Sequence, residues 1–178
     1  MNLIITALYF FLPAYFANMA PVIFGKINAL PYPIDSNKKW RNRPIFGKNK
    51  TWGGLLYAIV LGTAIFYVQQ TLYNIPFFKG ISLIDYTSYS LALGFLLASG
   101  AILGDLIESL IKRRYNKEPG AEWFPFDQID YVIGALVFGA AVYLPPLKII
   151  VILFILAPFL HYGANYMAYF LGLKKVRW

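Results

Sequence analysis

Five long runs without a single charged side chain divide this chain: Leu3–Phe24, Gly53–Phe78, Tyr86–Gly104, Tyr131–Leu147 and Ile149–Leu173. Each is close to or above the ~17–25 residues that a helix needs to cross the hydrocarbon of a bilayer. The runs are apolar throughout and lack the alternation of a half-buried strand, so the pattern predicts helices rather than a barrel. The predicted fold is an all-α integral membrane protein with five transmembrane helices, near residues 3–24, 53–73, 86–107, 129–146 and 148–171, forming one domain over 1–178. The first run has no basic leader and is too long for a cleaved signal.

The polar blocks between the runs are unequal, and that inequality sets the orientation. Loop 25–52 holds Lys26, Lys38, Lys39, Arg41, Arg43, Lys48 and Lys50; loop 108–128 holds Lys112, Arg113, Arg114 and Lys117; the tail adds Lys174, Lys175 and Arg177. Together these are 14 of the 16 cations, and only Lys79 and Lys148 fall on the opposite side. The positive-inside rule predicts both large loops and the C-terminus in the cytoplasm, with Met1 outside the cell membrane. Composition agrees: 59% of residues are hydrophobic, mean hydropathy is +0.57, and 13% are charged, against roughly a quarter in soluble domains. In a chain that is mostly membrane, the net charge of +8 serves orientation and phosphate binding rather than a nucleic acid. The absence of cysteine excludes disulfides, thiolate metal sites and a cysteine nucleophile.

One segment concentrates the chemistry. Residues 104–130 carry four cationic and six acidic side chains between two charge-free runs, at a boundary where charge is expensive and usually functional. If the third helix continues past Gly104, then Asp105, Ser109 and Lys112 fall at i, i+4 and i+7, a column about 10 Å tall on one face, with Arg113 one step on. Asp127 and Asp130 follow at i, i+3 where the fourth run begins. Asp105, Asp127 and Asp130 can thus converge as an all-oxygen site suited to Mg²⁺, and Lys112, Arg113, Arg114 and Lys117 suit a polyphosphate bridged to that metal. Asp105, Lys112, Asp127 and Asp130 are the candidate catalytic residues. From the first loop, Lys48, Asn49, Lys50 and Thr51 precede the second helix, whose N-terminus favours anions. Lys48 and Lys50 form either a phosphate cradle or orientation charges that bind lipid headgroups. His161, Asn165 and Tyr169 make a polar stripe on the last helix, for which interhelical hydrogen bonding is the default reading.

These residues resemble the signature of the membrane phosphatidate cytidylyltransferases, the CDP-diacylglycerol synthases. That signature runs Ser, Lys-Arg, a Lys-acidic pair and a spaced Asp pair; here it reads Ser109, Lys112-Arg113, Lys117-Glu118 and Asp127-Gln128-Ile129-Asp130. Gln128 replaces an Arg, and no His-Gly-Gly precedes the last acids. Those departures, the run Gly47 to Gly54, the Pro125-Phe126-Asp127-Gln128 segment and a tail of His161, Asn165, Tyr169, Gly172 and Lys174 are similar to the archaeal branch, the CDP-archaeol synthases. The resemblance implies an enzyme that uses CTP, Mg²⁺ and an unsaturated archaeol phosphate to give CDP-archaeol and pyrophosphate. The alternative is another Mg²⁺-dependent membrane transferase acting on a lipid phosphate or diphosphate, such as a prenyltransferase. A homodimer is compatible with the small size and the packing glycines Gly94, Gly104, Gly134 and Gly139.

Overall fold

A computed structural model describes residues 2–27, 29–118 and 120–173. Met1 and the tail residues Lys174, Lys175 and Arg177 lie outside the described residues, so the expectations resting on them concern the sequence alone. Six α-helices follow one another: α1 (Leu3–Ile23), α2 (Trp52–Leu72), α3 (Pro76–Ile81), α4 (Ala92–Arg114), α5 (Phe126–Gly139) and α6 (Leu147–Phe170). Two short strands, β1 (Lys39–Trp40) and β2 (Arg43–Pro44), pair antiparallel in the loop after α1.

The charge-free runs become α1, α2 and α6 nearly as expected. Asn2 caps α1 by accepting the Ile4 and Ile5 N–H groups at 3.1 and 3.4 Å, and Thr51 caps α2 by accepting the Gly54 N–H at 3.1 Å. Pro13 sits inside α1 and cannot donate to the Tyr9 carbonyl four residues back. Gln69 of α2 replaces that donor, giving its Nε2–H to Tyr9 O at 2.5 Å. A neighbouring helix thus satisfies the carbonyl that the proline frees, as a hydrocarbon environment demands.

Two expectations change. The third helix starts at Ala92, not near 86, because Tyr86–Ser88 form a 3₁₀ turn tied down by Gln70, whose Nε2 donates to Tyr86 O and Tyr89 O. The fourth run yields only the 14-residue α5, ~21 Å long at 1.5 Å per residue. It starts earlier than its apolar run, at Phe126, and ends at Gly139 in a turn ahead of Pro145 and Pro146. Among the described residues four helices, α1, α2, α4 and α6, are long and apolar enough to cross a membrane.

Helix α4 is central and packs on α1, α2 and α5, with α6 against α1 and α5. At the α4–α5 crossing the two backbones approach closely. A Cβ on Gly100 would fall on the Gly134 carbonyl, one on Gly104 on the Asp130 carbonyl, and one on Gly134 within 2.9 Å of Gly104 Cα. Only glycine lets the two backbones meet here.

The loop after α1 is folded, with a short hairpin of its own. Asp35 is buried and accepts three N–H groups, from Asn37, Phe46 and Gly47, each at 3.0 Å. The β1–β2 turn uses Arg41 and Asn42 at φ 51° and 61°, two left-handed residues as in a tight type I′ hairpin. Ile34 N donates to Lys50 O at 2.9 Å, returning the loop to the start of α2. Burial pushes the Asp35 carboxyl up, but the N–H groups of Gly47, Phe46 and Asn37 outweigh it and hold Asp35 below its usual value. The stabilisation is therefore complete above about pH 4, the unfolded value, and is lost as pH falls through the lower folded value. Hydrogen exchange at the Phe46 and Gly47 amides is expected to follow that acid limb. Asp35→Asn turns an NH₂ toward an N–H and should weaken the loop by about 2 kcal/mol at neutral pH; equal protection in the Asn variant would exclude this role.

Candidate active site

A cavity of about 620 Å³ lies where the first loop meets α1, α4, α5 and α6. Its polar wall is built mainly by one face of α4. Asp105, Glu108, Ser109 and Lys112 follow one another at helical spacing and all line the cavity, with Arg113 beside them. Helix α4 continues unbroken past Gly104, as the column required. The glycine crossing then brings the first turns of α5 alongside, so Asp130 faces the α4 acids.

Carboxylate oxygens of Asp105, Glu108 and Asp130 lie within 4.8 Å of one another. Lys50 reaches this group from the first loop, donating to Asp105 Oδ1 at 2.7 Å and Oδ2 at 2.6 Å. Burial works to lower the Lys50 ammonium, but the Asp105 carboxylate beside it, together with Asp130 and Glu108, outweighs burial and holds Lys50 above its usual value. Glu108 Oε1 is buried 3.4 Å from Lys112 Nζ and has no hydrogen-bond donor among the described residues. Three close carboxylates with no His or Cys, one with an unmet buried oxygen, fit a hard divalent cation such as Mg²⁺.

Asp127 is not one of that close trio, although its carboxylate lies within side-chain hydrogen-bonding reach of Glu108. Its Oδ1 accepts from Lys112 Nζ at 2.5 Å and its Oδ2 from Trp123 N at 2.7 Å, so both oxygens hold protein donors. Among the described residues, the close grouping of carboxylates contains Glu108, which the sequence reading did not single out, and not Asp127, which it did. The signal for Glu108 was present, since it lies at i+3 from Asp105 on the face that carries Ser109 and Lys112.

The expected phosphate ligands divide similarly. Asn49, Lys50, Ser109, Lys112 and Arg113 line the cavity. Arg113 is buried, at 4% exposure, and donates one N–H to Lys117 O at 2.5 Å. Arg114 points elsewhere: its two terminal nitrogens donate to Trp40 O and Pro44 O, each at 2.5 Å, and its guanidinium lies 4.9 Å from the Trp40 ring centroid. Successive residues on a helix turn by about 100°, so Arg114 lies about 200° around α4 from Lys112 and leaves the face that Lys112 carries toward the cavity. The side chains of Lys48 and Lys117 are exposed and outside the lining, and Thr51 is committed to capping α2. His161 and Asn165 of α6 line the cavity opposite the acids, while Tyr169 does not.

The apolar wall comes from α1 and α6, including Met19, Val22, Met167 and Leu171. The site therefore joins an acidic trio, three cations and an apolar flank in one space.

Comparison with known proteins bears directly on this geometry. The family model described as CarS-like, CDP-archaeol synthase, matches residues 1–178. The chain is 41% identical over 179 residues to the CDP-archaeol synthase of Pyrococcus furiosus, covering 100% of both chains. It is 36% identical over 178 residues to that of Methanocaldococcus jannaschii, covering 99% of this chain and 98% of the relative. A solved structure of an intramembrane enzyme for archaeal membrane lipid biosynthesis superposes with a TM-score of 0.69 at 27% identity, covering 89% of this chain and 92% of the other.

Proposed function

This chain belongs to the CDP-archaeol synthase family, and on that premise we propose that its cavity is where the CMP moiety of CTP passes to 2,3-bis-O-geranylgeranylglycerol 1-phosphate. The products are CDP-archaeol and pyrophosphate. The observation that carries the reading is the meeting of Asp105, Glu108 and Asp130 with Lys50, Lys112 and Arg113 in one cavity flanked by apolar helix.

An oxygen of the lipid phosphomonoester forms a bond to the α-phosphorus of CTP, and the bond from that phosphorus to the α–β bridging oxygen breaks. The attacking phosphate is already largely dianionic near neutral pH, its second pKa being about 6, so no protein base is needed. Asp105, Glu108 and Asp130 would hold Mg²⁺, which when bound neutralises phosphate charge that two anionic reactants bring together. Lys112 and Arg113 face the cavity as fixed cations for the triphosphate and for the charge on departing pyrophosphate. Asp127 and Trp123 N–H orient Lys112 rather than the metal. The Asp127-x-x-Asp130 pair that a prenyltransferase would employ as a unit is divided between Lys112 and the acidic trio, which weighs against that alternative.

In this reading the chain crosses the cell membrane five times, α5 and residues 140–146 together making the short fourth crossing. The basic loop 25–52 and the last two turns of α4 with the segment after them lie in the cytoplasm with CTP, and the N-terminus lies outside. The apolar α1–α6 wall faces the lipid tails.

Purified protein supplied with CTP, ATP, GTP or UTP tests the reaction, with digeranylgeranylglyceryl phosphate or phosphatidic acid as acceptor. Pyrophosphate release is expected with CTP and the ether lipid and is expected to vanish in EDTA. Release that ignores EDTA, or that prefers a purine nucleotide, would contradict the assignment.

A further inference from the structure

The first loop supplies Lys50 to the acids, yet nothing in its sequence between Asp35 and Lys50 is long or apolar enough to pack by itself. Two groups fix it in place. Asp35 gathers the N–H groups of Asn37, Phe46 and Gly47 and so ties the start of the loop to its end. Gly47 takes φ 104° there, a conformation that suits glycine and directs the chain onward to Asn49 and Lys50. Arg114, at the last turn of α4, grips both strands of the β1–β2 hairpin through the Trp40 and Pro44 carbonyls and stacks on Trp40. One fixing is internal to the loop; the other fastens it to the helix that carries Asp105, Glu108, Lys112 and Arg113.

We propose that Asp35 and Arg114 are positioning residues of the nucleotide site, holding the Gly47–Lys50 segment as a wall of the cavity without touching substrate themselves. The proposal rests on the cytidylyltransferase reading above. It removes Arg114 from the triphosphate ligands and gives it a task that charge alone cannot perform. A planar fork spanning two carbonyls and lying on an indole is specific to arginine, and lysine offers only a point charge.

The test compares Arg114→Lys, Arg114→Gln and Asp35→Asn with the unaltered protein in the same lipid environment. All three are expected to raise KM for CTP by about tenfold or more, the loss of one or two charge-assisted hydrogen bonds. The kcat and the KM for lipid phosphate should stay within about twofold. A general loss of folded protein would instead lower apparent kcat with KM unmoved. The second readout needs no activity: trypsin should cut at Lys38, Lys39, Arg41 or Lys48 faster in each variant than in the unaltered protein, Arg43 being shielded by the proline that follows it. Arg114→Lys matching the unaltered protein in both readouts would overturn the proposal, as would variants whose loops are cut no faster. An unaltered protein without CTP turnover, whose loop nonetheless resists trypsin until Arg114 or Asp35 is changed, would sink the nucleotide reading and leave the fastening standing.

Discussion

Asp130→Asn should reduce turnover by about a thousandfold or more while leaving insertion and folding intact. Asp130 stands at the α4–α5 crossing, with its carboxylate oxygen within 4.8 Å of oxygens on Asp105 and Glu108. Three acids this close repel unless a cation lies among them, and Lys50 is shared only with Asp105 by direct hydrogen bonds. Replacing one acid by an amide removes a charge from the group that would hold Mg²⁺. About 4 kcal/mol of lost transition-state stabilisation corresponds to the thousandfold fall. Asp127→Asn should be milder, about tenfold to a hundredfold, because Asp127 orients Lys112 and the Trp123 N–H rather than joining the trio. Measuring kcat/KM for both variants across a Mg²⁺ titration checks the ranking. The Asp130 variant is expected to need far more Mg²⁺, and the Asp127 variant little more than the unaltered protein. The reverse order would move the metal to Asp127.

Gly134→Val should abolish the folded α4–α5 pair and, with it, all activity. A side chain at Gly134 meets backbone: the Gly100 carbonyl, and Gly104 Cα and N at 2.9 Å. Backbone cannot rotate aside as a flexible side chain can, so the helices must separate by the thickness of a methyl group or more. Loss of packing along the crossing costs several kcal/mol, within the upper range for overpacking in a close-packed interior. Separation also draws Asp130 from Asp105 and Glu108, so any protein that does fold should be inactive. Gly163→Ala in α6 is the matched control, since a Cβ there meets nothing within 4 Å. Thermal unfolding in detergent should fall sharply for Gly134→Val and stay near the unaltered value for Gly163→Ala. Comparable stability in both would show that the close crossing is dispensable.

The parts of this molecule that were legible in the sequence are those governed by a single physical constraint. Hydrocarbon tolerates no unpaired charge, so the helices predicted near 3–24, 53–73 and 148–171 coincide with α1, α2 and α6 to within a residue at each end. Helical spacing likewise anticipates that Asp105, Ser109 and Lys112 share a face. Pairing between elements was less legible. Asp127 and Asp130 are equivalent as sequence; the glycine contacts among Gly100, Gly104 and Gly134 decide that Asp130 meets the α4 acids and Asp127 meets Lys112. Glu108, at i+3 from Asp105, carries the same helical-spacing signal as Ser109 at i+4, so its place in the trio is legible from spacing alone. The run Lys112-Arg113-Arg114 reads as one basic patch until the helix turns Arg114 toward the hairpin. That hairpin depends on left-handed Arg41 and Asn42, residues that do not announce a type I′ turn as Asn-Gly does.

The most direct measurement follows the α-phosphate of CTP. Protein with Mg²⁺ and digeranylgeranylglyceryl phosphate would receive CTP radiolabelled in either the α- or the γ-phosphate, and the lipid would then be extracted and separated. Transfer of the CMP moiety predicts α-label in a new lipid species and γ-label only in pyrophosphate. Label from the γ-phosphate in the lipid, or none from the α-phosphate, would contradict it.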